Sequence, residues 1–527
     1  MIKSMCKEHC CGRKDVNKDI TSTWIASHMS SQLKTNLDMK LSAMEAYIME
    51  KFRNKVPYIT LYRAKRKARE QTEGSHGKSY AKLPSYGDKV RERDPETIFK
   101  IQFHPRQVLS DPPVFKRMFV YFKACMNGFL NGCRPFIGID GCHLKDTHGG
   151  VLLAAVFVDG NKRLFPVAYG VVEVECINSW EWFLSNIYGI FYRTLEDNPI
   201  TFMSDKPKGL CEAISDTFPG CHHRWCCGYL YQNFKSLHPV VLLRRYFWMV
   251  TKASNLFFFK KAMNEMKGID QKAYEWLSKH LPKMWSRRAF DVRCKSDHIT
   301  NNMTKSFNQL IAPFRVNPIL TLFYEIRKTL MENMHKKYQH GCNYKGRVTP
   351  CIKKKLNAIA TKARECMVLR AGVDKFEVTE NQGRYVVDLK NQSCGCMVWN
   401  VSGIPCKHAT ACIKFKRESL EKYCDEYYSV GKYFATYKDI VHALPGLDQL
   451  TEDHPMGVVQ PPPLKTLVGR PYKSRKKEQD EGPSGEYRRR SNTVRCDRGK
   501  MEGHNKRRCI GPPMKVKGRG IVPLARQ

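Results

Sequence analysis

Long apolar runs are missing from this chain, and no stretch approaches the roughly 20 residues that a bilayer-spanning helix needs. Nor does the apolar segment of a secretory leader follow Met1-Ile2-Lys3-Ser4-Met5. Acid is also scarce. Against 90 Lys and Arg stand 50 Asp and Glu, a formal net charge of +40, which exceeds what solubility requires and implies a polyanionic partner, DNA or RNA. A membrane protein and an exported one are the classes these shortages argue against. Cysteine, in contrast, is plentiful, and several of the 22 stand at metal-ligand spacings, which suits a reducing, intracellular compartment. At 527 residues, 42% hydrophobic and with eight Trp, the chain can build two to four domains with real cores.

Two apolar, strand-like runs each end on an aspartate: Phe136-Ile137-Gly138-Ile139-Asp140 and Ile200-Thr201-Phe202-Met203-Ser204-Asp205. Between them lie two further β-branched runs, at 150–158 and 164–172, and a helix-like Ser179-Trp180-Glu181-Trp182-Phe183-Leu184. A lone aspartate in such a place more often caps the next turn, as Asp205 could. Two of them at one sheet edge repel unless a cation joins them, so the pair predicts a divalent metal site.

The ordered segments Asp140-Gly-Cys-His-Leu-Lys145, Phe165-Pro166, Ser179 to Leu184 and Ser204-Asp-Lys-Pro-Lys-Gly-Leu210 resemble the transposase domain of plant Mutator-like elements. The resemblance implies an α/β, ribonuclease-H-like mixed sheet with an all-helical insertion near 240–295. It also implies a catalytic metal site of two aspartates and a glutamate that cuts and joins DNA with Mg²⁺. The glutamate belongs in a Thr-Asn-Asn-x-x-Glu-Ser-Phe-Asn segment; here Thr300-Asn301-Asn302-Met303-Thr304-Lys305-Ser306-Phe307-Asn308 carries a lysine instead. One misplaced unit charge 4 Å from another costs about 4 kcal/mol at an effective dielectric of 20, and twice that beside a divalent ion. Two-metal cleavage needs both ions, so Asp140 and Asp205 with Lys305 predict a catalytically inactive pocket. The competing expectation is a displaced acid, with Glu325 a candidate. His223-Arg224-Trp225-Cys226-Cys227-Gly228-Tyr229-Leu230 resembles the family's Cys-x-x-His strand, with Tyr229 at the histidine position. The aromatics of the insertion recur at helical spacing, which predicts core rather than a DNA stacking platform.

Farther on, Cys394-x-Cys396, nine residues and then Cys406-x-His408 offer three thiolates and an imidazole, the donor set of tetrahedral zinc. With Gly403-Ile404-Pro405 before the last pair, the stretch resembles the SWIM zinc finger, a small ββα unit. Tyr385 to Leu389 reads as its first strand and Met397 to Asn400 as its second.

Three further sites are incomplete. His9 and Cys11 resemble the closing pair of the family's N-terminal zinc fold, without the two preceding cysteines. Cys496, His504 and Cys509 have zinc-knuckle spacing, with Gly499 where the second cysteine belongs. Arg470, Lys473, Arg475, Lys476 and Lys477 surround a Gly-Arg-Pro that resembles an AT-hook and suits the minor groove or nuclear import. Basic residues from Arg63 to Arg69 could meet phosphates or simply face solvent.

The expected organisation is therefore a truncated N-terminal DNA-binding region over 1–95, a transposase domain over 96–345, a SWIM region over 360–440, and a Pro-rich, basic, disordered tail over 441–527. A nuclear, zinc-containing, DNA-binding protein follows, with homo-oligomerisation left open.

Overall fold

The computed structural model describes residues 19–463 except 37–38, 74–75, 109, 147, 193–194, 196–198, 206–208 and 382, together with 514–517 and 520–523. His9, Cys11, Arg470, Lys473, Arg475, Lys476, Lys477, Cys496, His504 and Cys509 lie outside the described residues.

Four helices open it: α1 (Ser22–His28), α2 (Ser30–Thr35), α3 (Leu41–Phe52) and α4 (Tyr58–Glu73). They enclose a core of their own, with Ile25, Met29, Leu33, Met44, Ile48, Leu61 and Ala64 buried together. The next two, α5 (His76–Ala81) and α6 (Leu83–Arg93), instead send Tyr80, Leu83, Tyr86 and Val90 into the main core. The expected 1–95 region is therefore divided between two cores.

The central sheet comprises β1 (Ile98–Phe103), β2 (Phe115–Tyr121), β3 (Phe136–His143), β4 (Val151–Val158), β5 (Leu164–Val172), β6 (Thr201–Ser204) and β7 (His222–Trp225), in the order β1-β2-β5-β4-β3-β6-β7. Strand β3 runs antiparallel to β4 and parallel to β6, and β6 runs parallel to β7. The subset β5-β4-β3-β6-β7 is the ribonuclease-H-like arrangement. Helix α7 (Lys123–Gly132) follows β2, α8 (Ile177–Phe191) follows β5, and α9 (Leu210–Thr217) separates β6 from β7.

Both faces of the sheet are covered, which explains why β4 reads as an unbroken apolar run. Phe119 pairs with Gly170, the neighbour of Tyr169, so Phe119 and Tyr169 leave opposite faces. Phe119 meets Trp182 and Phe183 of α8, whereas Tyr169 meets Phe323 on the far side.

The insertion begins at Cys227, earlier than the sequence pattern suggested. It holds α10 (Cys227–Leu237), α11 (Val241–Lys252), α12 (Leu256–Ile269), α13 (Gln271–Ser278) and α14 (Pro282–Trp285) around Phe234, Phe247, Leu277 and Trp285. Helix α15 (Asn302–Leu310) then packs across β3, β4 and β5, and α16 (Ile319–Cys342) returns to the main core. The approach of α15 is close enough that a Cβ on Gly138 would lie 2.5 Å from Asn301 Oδ1. Glycine is the residue that leaves room there.

After α17 (Pro350–Lys362), a second antiparallel sheet is built from β8 (Met367–Arg370), β9 (Lys375–Glu380), β10 (Gly383–Asp388) and β11 (Ser393–Cys394), ordered β11-β10-β9-β8. Helices α18 (Val398–Ser402), α19 (Lys407–Phe415) and α20 (Val430–Tyr437) follow. Met397 to Asn400, expected as a strand, is instead a left-handed residue (Met397 φ 62°) leading into α18.

Residues 441–463, expected in the disordered tail, are packed against the body. Val441, Leu450 and Val459 are buried in the main core, and Gln460 exchanges backbone hydrogen bonds with Pro113 and Phe115. Farther along, β12 (Met514–Lys517) and β13 (Gly520–Pro523) pair antiparallel. Among the described residues no helix is long and apolar enough to cross a membrane, and the cysteines form no disulfide.

Candidate metal centres

Gly138 pairs with Met203 in the parallel β3–β6 ladder. Two residues further along each strand, that register brings Asp140 level with Asp205. Asp140 Oδ1 accepts from Gly141 N at 3.0 Å, and Oδ2 accepts from Asn308 Nδ2 at 3.0 Å. Burial, followed by the charges of Asp205 and Glu175, pushes the Asp140 carboxyl up to about 7, while hydrogen bonds from Gly141 and Thr304 pull it the other way. Asp205 Oδ1 is buried with no hydrogen-bond partner among the described residues. A buried carboxylate oxygen without a donor fits a cation.

Thr304 and Asn308 are one helical turn apart on α15 and both serve Asp140. Lys305 is exposed on the same helix; burial and then the charge of Asp205 push the Cys226 thiol up, and the Lys305 charge opposes them last in order of size. Cys226 Sγ accepts from Asn301 N at 3.2 Å, so the Cys-x-x-Tyr segment, expected on a strand but found at the N-cap and first turn of α10, is tied to the start of α15. Glu325 lies on α16.

The acid beside Asp140 is one that sequence reasoning passed over. Glu175 stands between β5 and α8, and a Cβ on Gly141 would lie 3.2 Å from its Cδ. Its turn is held firmly. Arg117 grips Glu173 with Nε at 2.8 Å and Nη2 at 2.6 Å, and also bonds Asn178 O and Oδ1. Cys176 and Ser179 form a capping box at the start of α8. The pair Arg117–Glu173 bridges residues far apart in sequence, so the Glu-Val-Glu run alone carried no signal of it.

The second centre is complete. Donor atoms of Cys394, Cys396, Cys406 and His408 all lie within 4.8 Å of one another, and all four residues are buried. No other set of three or more His, Cys, Asp or Glu residues converges in this way among the described residues. His408 Nδ1 is 3.6 Å from Cys394 Sγ and 4.0 Å from Cys406 Sγ. Zinc bonds of about 2.3 Å to sulfur and 2.0 Å to nitrogen at tetrahedral angles require a separation of roughly 3.6 Å. The set fits zinc.

Local folding explains this convergence. Gly395 N donates to Val386 O at 2.9 Å, which fixes the first knuckle against β10. Asn400 Oδ1 accepts from Cys394 N at 3.1 Å. Gly403, with φ 69°, turns the chain towards the second pair, and a Cβ there would sit 2.7 Å from Asp425 Cβ. Cys406 caps α19, its sulfur accepting from Ala409 N at 3.4 Å. Hydrogen bonds from Cys394 and Cys406 hold the Cys396 thiol well below its ordinary range. Outside the donor set, His408 Nε2 is 3.1 Å from Glu380 Oε2, Glu380 also pairs with Lys407, and the Tyr385 ring stacks on the imidazole at 3.9 Å and 16°.

Residues 136–233 match the family model of the MULE transposase domain, and residues 385–411 match that of the SWIM zinc finger. A comparison with curated proteins gives no match. The first interval spans Asp140, Glu175 and Asp205, and the second holds all four zinc ligands. The chain carries a MULE transposase domain followed by a SWIM zinc finger, and is a transposase-derived, zinc-binding protein.

Proposed function

We propose that this protein binds DNA in the nucleus through a transposase scaffold that no longer cleaves it. The observation that carries the reading is Lys305, which stands on α15, next to the Thr304 that serves Asp140, at the position where the family's third acid belongs. Asp140 and Asp205 would hold Mg²⁺, which would supply an activated water and charge stabilisation at the leaving oxygen. An ammonium group opposes the ion pair that this chemistry needs. DNA affinity is supported by the net charge of +40 and by the transposase domain. The zinc finger is the structural element of this reading. Purified full-length protein should bind duplex DNA with a steep salt dependence. With Mg²⁺ or Mn²⁺ it should leave supercoiled plasmid as intact as an Asp140→Ala variant does.

Glu175 favours a second reading, a residual metal-dependent nuclease or transposase with a substitute acid. Its carboxyl lies over Gly141 and its charge acts on Asp140. Plasmid nicking by the wild-type chain that is lost in Glu175→Gln would establish this reading in place of the first.

A further inference from the structure

Helices α11 and α12 bury Leu243, Phe247 and Val250 from one and Phe259, Ala262 and Met263 from the other. Their outer corner is also apolar. Phe257 is 68% exposed and Phe258 41%, with Met249 and Leu256 exposed nearby in sequence. The two phenyl rings stand 5.4 Å apart, edge to face, in the first turn of α12. An amphipathic helix ordinarily turns polar residues to solvent at such positions. Here the exposed charged residues of the two helices are all cations: Arg244, Arg245, Lys252, Lys260, Lys261 and Lys267. The sequence contains no Asp or Glu between Asp216 and Glu265. Asn255, which caps α12, reaches the carbonyl of Gly395 at 3.5 Å, so the corner adjoins the zinc knuckle.

We propose that this corner is a docking surface for unpaired DNA, in which bases stack on Phe257 and Phe258 while Lys252, Lys260 and Lys261 meet the phosphates. Charge selects this occupant. A second copy of the chain could cover the phenyl rings about a twofold axis, but that would set one acid-free basic segment against another, and like charges face to face oppose docking. A single strand offers both π-faces and negative charge, whereas a duplex keeps its base faces stacked. The inference rests on the DNA-binding reading above and adds a strand preference to it.

Fluorescence anisotropy of full-length, zinc-loaded protein tests it, using labelled oligo(dT) of about 15 nucleotides and a blunt duplex of the same length. Phe257→Ala/Phe258→Ala should weaken oligo(dT) binding tenfold or more and duplex binding less than twofold. Lys260→Gln/Lys261→Gln should weaken both and flatten the salt dependence. Because the altered side chains are exposed, thermal melts should be unchanged. The proposal is overturned if the phenylalanine variant binds oligo(dT) as the wild type does, or if light scattering shows a wild-type dimer that this variant turns into a monomer. Duplex binding without oligo(dT) binding sinks the strand preference alone, and absence of both sinks the DNA-binding reading with it.

Discussion

Glu380 Oε2 lies 3.1 Å from His408 Nε2, on the side of the imidazole opposite Nδ1, which points to the cysteine sulfurs. The carboxylate therefore fixes which ring nitrogen is free for the metal. Glu380→Gln keeps an acceptor but loses the charge, and Glu380→Ala loses both. We expect zinc affinity to fall by tenfold or more in the alanine variant and by less in the glutamine variant, as read by competition with a chromogenic chelator. Equal affinities across all three proteins would show that Glu380 serves Lys407 alone.

Asp140 supplies a pH dependence whose sign is set by its folded pKa of about 7, above the ordinary value of 3.8. The folded protein holds this proton more tightly than the unfolded chain, so the stabilisation is complete below about pH 4 and is lost as pH rises through 7. Glu175 and Asp205 are the acids facing it, and Gly141 N, Asn308 and Thr304 the donors. In denaturant melts without divalent ions, Asp140→Asn should remove this part of the decline between pH 5 and pH 8. The difference should be on the order of a few kcal/mol. Identical pH profiles for the two proteins would count against a carboxyl held protonated by burial and neighbouring charge.

Tyr428 joins the finger region to the transposase domain. Its hydroxyl is 2.7 Å from Arg134 Nη1 and 2.7 Å from Ser402 O, and both Tyr428 and Arg134 are buried. Tyr428→Phe keeps the ring that stacks under the guanidinium but leaves Arg134 short of an acceptor and Ser402 O without its donor. A loss of about 1–3 kcal/mol is expected in urea melts. A change below about 0.5 kcal/mol would mean that water satisfies both groups.

Much of the two centres was legible in sequence because each rests on local pattern. Asp140 and Asp205 end apolar runs whose parallel pairing sets them level, and the four zinc ligands lie within fifteen residues of one another. Glu175 was not legible, since what places it is Arg117, a buried cation gripping Glu173 from another strand. The helical spacing of the aromatics predicts core for Phe257-Phe258-Phe259, yet three consecutive helical residues sweep about 200° and cannot all face inward. Phe259 is buried and the other two are not. Met397 to Asn400 has strand-like composition, but the left-handed turn at Met397 starts a helix that brings Asn400 back to Cys394. The 441–463 stretch falls within the expected tail, whose Pro-rich composition begins at Pro461, yet three spaced apolar residues, Val441, Leu450 and Val459, dock it.

Calorimetric titration of Mn²⁺ into zinc-loaded protein tests most directly the proposal that Lys305 denies the aspartate pocket its cations. Lys305→Glu exchanges one positive for one negative charge on an exposed helix face, where solvent screening reduces but does not abolish the effect. We expect the variant to bind Mn²⁺ at least tenfold more tightly than the wild type, with the gain abolished by adding Asp140→Asn. Two Mn²⁺ bound per wild-type chain, as tightly as by Lys305→Glu, would contradict it.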